Sequence, residues 1–152
     1  MITAAYCRTM ARYNAWQNDG LRAAFRELPL AVLEEEGDAF FGSIFGTANH
    51  LLWGDSMWMS RFDGWEKPES GIPASARFMP DLAMWEEARE EADARIFAWA
   101  EGLSDTRLGG DLSWYSGAAG RNVTKPIAFC VVHFFNHQTH HRGQLHVMLT
   151  QA

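Results

Sequence analysis

Between Ile127 and Leu149 the chain holds no proline and carries apolar residues at helical spacing, and that segment constrains the fold more than any other. At 100° per residue, Val131, Phe134, Leu145 and Leu149 all fall within about 40° of Ile127, which predicts a long helix with one buried stripe. Thr124 is the expected cap, with Pro126 accommodated in the first turn.

A stripe of that length needs partners, and three other segments supply them. A first helix is expected from about Thr3 to the break at Leu28-Pro29. After an acidic link over 34–38, a second runs from about Ser43 to Phe62 and stops before Gly64. Pro80-Asp81 opens a third, which ends at Glu101 with Gly102 beyond it. The stretch 63–79, rich in Gly, Pro and Ser, reads as a long loop, and 109–124 reads as two short strands around a Gly-rich turn. The expected architecture is all-α: a single domain over 1–152, a four-helix bundle with a small β-hairpin before the last helix.

Four of the six histidines lie between His133 and His141. Residues four apart on a helix stand one above the other, so His137 and His141 can aim at one point. Relative to the buried stripe, His141 lies about 40° and His137 about 80° away, whereas His133 and His140 lie about 120° and 140° away. The first pair therefore points into the bundle. His50, on the second helix, has Gly46 and Gly54 one turn to either side, which leaves room beside its ring. His50, His137 and His141 are the candidate ligands of a divalent metal, zinc or nickel, in a three-nitrogen site with space for a further ligand. The competing reading is that these histidines only pack.

Other residues are candidates for supporting roles. Asp55 falls amid the apolar face of the second helix, where a carboxylate needs a partner; an imidazole of the site or Arg142 are the expected ones. His133, His140, Gln144 and Asn14 are expected around the site, and Trp53, Met57 and the 63–79 loop at its mouth. The charged run 86–91 reads as a solvated face.

Composition excludes several classes. Net charge is −6 and no Lys/Arg cluster occurs, so no nucleic-acid partner is expected. No run of about 18 apolar residues exists, and no membrane association is expected. Cys7 and Cys130 belong to no metal-finger or redox spacing and read as free thiols of a cytoplasmic protein. Seven Trp and ten Phe predict an aromatic core.

Three segments, Tyr13-Asn-Ala-Trp-Gln-Asn18, Asn49-His-Leu-Leu-Trp-Gly-Asp55 and His133-Phe-Phe-Asn-His137-Gln-Thr-His-His141-Arg-Gly-Gln144, resemble the DinB/YfiT-like superfamily over nearly the whole chain. The resemblance implies an up-down-down-up bundle, a divalent metal on His50, His137 and His141, and pairing into homodimers. Characterised members use a low-molecular-weight thiol (bacillithiol, mycothiol or glutathione), so a thiol S-transferase or hydrolase acting on a small-molecule substrate is implied. The alternative is a non-catalytic stress-response bundle that binds a metal or ligand.

Overall fold

The computed structural model describes residues 2–152. Its elements are α1 (Ala4–Arg26), α2 (Leu30–Glu34), α3 (Ile44–Phe62), a 3-10 turn (Ile72–Arg77), α4 (Leu82–Glu101), α5 (Asp105–Leu108), β1 (Asp111–Ser116), β2 (Arg121–Pro126) and α6 (Ile127–Gln151). Side chains mark the starts of three long helices. The hydroxyls of Thr3 and Ser43 and the carboxylate of Asp81 accept from the backbone N–H three residues on, at 3.2, 2.9 and 2.9 Å.

The direction of each helix follows from which residues meet. Arg12, Arg22 and Arg26 of α1 reach Glu101, Glu90 and Glu86 of α4 in that order, so these helices are antiparallel. On α3, His50, Trp58 and Phe62 meet His141, His133 and Phe134 of α6, again antiparallel. Trp85 donates to the Ala48 carbonyl and Trp99 stacks on Phe62, so α3 and α4 run the same way. Tyr6 and Asn14 of α1 meet Phe135 and Arg142 of α6, a second parallel pair. The four long helices are therefore up, down, down, up. Sequence neighbours α1 and α3, and α4 and α6, stand diagonally, which is why long connections containing α2 and the hairpin join them.

The aromatic excess lies largely in the core. Phe25 packs on Trp85, and Phe62, Trp99 and Phe134 form one cluster. The hairpin pairs Asp111–Ser116 with Arg121–Pro126 in antiparallel register, and Gly120 takes φ 63° at its turn.

Two expectations fail here. Thr124 does not cap the last helix: it faces Ser113 across the hairpin, their hydroxyls 2.8 Å apart. A β-branched residue followed by a residue before proline favours extended backbone, so the strand runs to Pro126 and α6 begins at Ile127. The run 86–91 is not wholly a solvated face either, because Arg89 is 1% exposed. Trp85, Ala92 and Ile96 define the buried stripe of α4, and Arg89 and Asp93 stand on that same stripe.

Candidate metal centre

α3 and α6 bring three imidazoles to one place. Ring centroids of His50 and His141 are 4.6 Å apart, His50 and His137 5.3 Å, and His137 and His141 4.4 Å. One ring nitrogen from each lies within 4.8 Å of the others. The close approach of His137 to α3 requires Gly54, where an added Cβ would stand 2.6 Å from the His137 Cε1. Phe41 stacks on one face of His50 at 3.7 Å, and Trp53 lies against that ring at 5.6 Å.

Hydrogen bonds set the tautomers of two of the rings. The Ser75 hydroxyl donates to the Ile72 carbonyl at 2.7 Å, so its oxygen accepts from His50 Nδ1–H at 2.8 Å. His141 Nδ1–H donates to the Gln144 carbonyl oxygen at 2.7 Å. Each ring is left with a lone pair on Nε2, the arrangement that orients a metal-ligating histidine. His137 Nδ1 is buried and has no partner among the described residues.

The cluster holds its rings neutral. Burial lowers the His137 pKa to about 3, with the other histidines adding to the effect, and burial with His141 nearby lowers His50 to about 4. Burial also lowers His141, against the pull of Gln144, and lowers His133, with Arg61 adding to that effect. Three neutral imidazoles, two with externally fixed tautomers and one with an orphaned nitrogen, are a donor set that suits a divalent ion.

The remaining candidates fall in different places. Gln144 is the partner of His141. His133 stands 6.0 Å from His137 and 5.1 Å from Trp58, and the exposed His140 is 4.9 Å from His141. Asp55 is neither the partner of a ligand imidazole nor a mate for Arg142. It pairs with Arg89 at 2.5 Å and accepts from Gln138 Nε2 at 2.6 Å. The physical reason is proximity along the parallel α3–α4 seam, which places a buried guanidinium beside the carboxylate.

That pair belongs to a polar ring through all four long helices. Arg89 also binds Asp93 at 2.8 Å, and Asp93 accepts from Asn18 at 2.9 Å. Gln138 accepts from Arg142 at 3.3 Å, and Arg142 donates to Asn14 at 2.5 Å. All seven residues are buried, and two arginines balance two aspartates. Burial raises the Asp55 carboxyl pKa even though Arg89 and Gln138 favour its ionised form. Asn14 and Asn18, one turn apart on α1, are the ring's two ends.

With three histidines gathered by helices in this order, comparison with known proteins becomes decisive. The model of the DinB family matches residues 1–152. The chain belongs to the DinB family. This DinB-family chain is 25% identical over 153 aligned positions to Protein DinB of Bacillus subtilis (strain 168), covering 92% of this chain and 82% of that one. No solved structure matches it significantly. Sequence reasoning missed Ser75, Phe41 and Arg89 in the DinB-family site and its support. Ser75 and Phe41 lie in connections without periodicity, whereas the spacing of Arg89 from Trp85 and Asp93 on one stripe was a usable signal.

Proposed function

We propose that this chain is a metal-dependent enzyme in which His50, His137 and His141 hold Zn²⁺ or Ni²⁺ and a small-molecule substrate reacts with a low-molecular-weight thiol or water. The observation that carries the reading is the convergence of three ring nitrogens within 4.8 Å, two of them on rings whose other nitrogen is tied to Ser75 or Gln144. A divalent ion supplies positive charge that brings a water pKa to around 7 or deprotonates a thiol outright.

The chain's own residues do the rest. Ser75 and Gln144 orient two imidazoles, Phe41 and Trp53 flank His50 with apolar surface, and His133 and His140 flank the cluster as groups able to carry a proton. A homodimer is part of the same proposal, supported by the exposed aromatic side chains of Phe40 and Phe129.

Elemental analysis of untagged protein, beside His50→Ala and His137→Ala, tests the site. The expected result is about one divalent ion per chain, lost in both variants, because each removes one of three nitrogen ligands. Metal content near zero that Zn²⁺ and Ni²⁺ fail to restore overturns the reading.

A further inference from the structure

A cavity of about 440 Å³ lies between α3, the loop ahead of the 3-10 turn and the tip of the hairpin, within the size range of small-molecule sites. Trp53, Met57, Ile72 and Tyr115 give it apolar walls, and Arg61 and Lys67 give it two cations. No Asp or Glu lines it, in a chain whose net charge is −6.

The arginines that hold the bundle together bond to acceptors on other helices. Arg12, Arg22, Arg26 and Arg89 pair with carboxylates across a seam, and Arg142 donates to Asn14. Arg61 has no carboxylate partner among the described residues. Its guanidinium instead lies 4.5 Å from the Trp58 ring centroid and 5.1 Å from that of Trp114. Such contacts fix the plane of the group and leave its N–H fork available for a planar bidentate acceptor. Desolvation disfavours the cation there and lowers its pKa, a cost that a bound anion offsets.

Two contacts connect the cavity to the histidines. Trp53 is a shared wall: its ring stacks on His50 at 5.6 Å, and its indole N–H donates to the Ser70 carbonyl of the cavity loop at 2.9 Å. On the other flank, Trp58 lies between Arg61 and His133, which stands 6.0 Å from His137. Arg61 is eleven residues beyond His50 on α3, about 16 Å of helical rise, and its side chain leans back over Trp58 toward the histidines.

We propose that this cavity is an anion subsite in which Arg61, assisted by Lys67, receives the carboxylate of a small organic acid with an apolar body. The inference rests on the metal-site reading only in taking that acid as the substrate, whose far end extends along α3 toward the three histidines.

The test is titration calorimetry with 3-phenylpropionate and its neutral match 3-phenylpropionamide, on metal-free and Zn²⁺-treated protein. Wild type is expected to bind the acid at least about tenfold more tightly than the amide in both states. The preference should shrink severalfold between about 50 and about 300 mM salt. Arg61→Gln should erase it, Lys67→Gln should reduce it about threefold, and Arg61→Lys should keep part of it, because charge survives while the fork is lost. Thermal melts confirm that each variant is folded; if Arg61→Gln is not, Arg61→Lys and the exposed Lys67→Gln carry the test. Equal binding of acid and amide by wild type, absence of binding by either, or an undiminished preference in the Arg61 variant overturns the proposal. Failure of Zn²⁺ to load removes the metal-site reading alone, since the metal-free titration still decides the subsite.

Discussion

Two polar clusters cross the centre of this bundle one residue apart in sequence, and they follow opposite rules. Gly54, His137 and His141 belong to the histidine cluster; Asp55, Gln138 and Arg142 belong to the polar ring. In the ring, donors meet acceptors across every helix seam and opposite charges balance. In the histidine cluster the Nδ1 atoms of His50 and His141 are bound outward, so their Nε2 atoms face the cluster as acceptors beside His137, whose tautomer no hydrogen bond fixes. A set paired across every seam stabilises, even with Asn14 Nδ2 and Asn18 Oδ1 at its two ends left without partners among the described residues; ring nitrogens aimed at one point call for a ligand. The ring also sets the axial register of α3 against α6, and with it the distance from His50 to the other two imidazoles.

Opening the ring should have the largest effect on stability. Arg89→Met removes the guanidinium that bonds to both buried aspartates and leaves only Arg142, which bonds to neither, to offset their charge; loss of one partner of a buried pair costs about 3–5 kcal/mol. Chemical denaturation of the metal-free protein should show a loss of that size, whereas His137→Ala should cost far less in the same assay. Similar losses in the two variants would mean that the clusters do not divide stability and binding between them.

Acid should act through the other cluster. The pKa values of His50 and His137 are depressed to about 4 and about 3 in the folded chain, from 6.5. Between those values the unfolded chain binds more protons, so stability rises with pH there. Metal-free protein should therefore lose stability as pH falls below about 6.5 and level off near the folded values. Urea melts from pH 7.5 downward, with a His50→Gln/His137→Gln variant as reference for the carboxylates, measure it. A wild-type slope no steeper than that of the variant would contradict the neutral-imidazole picture.

What could be read from sequence follows the same division. Helix phase alone placed His137 and His141 inward and separated them from His133 and His140, because the buried stripe of α6 is long and regular. The four long helices were legible for the same reason, and their order was implied only by family resemblance. Asp55 was recognised as needing a partner, but its partner lay on a helix whose contact with α3 no local pattern reveals. Arg89 was hidden among acidic neighbours that do face solvent. Thr124 misled because capping and strand preference share one residue type, and cross-strand pairing with Ser113 won.

The smallest effect expected sits where the two clusters' logic meets a loop. Ser75 is fully buried, donates to Ile72 and accepts from His50, so it ties the 3-10 turn to the imidazole. Ser75→Ala removes the acceptor that holds the His50 proton on Nδ1, freeing the ring to rotate or to change tautomer. Loss of such an outer partner lowers metal affinity about 10–100-fold, less than loss of a ligand. Competition with a chelator of known affinity should show that drop for Zn²⁺, beside a loss of about 1–3 kcal/mol in metal-free stability from the buried groups left unpaired. Ser75→Thr, which retains the hydroxyl, should recover affinity if its methyl is tolerated. Unchanged Zn²⁺ affinity in Ser75→Ala would mean that Phe41 and Trp53, stacked on His50, are enough to aim the ring.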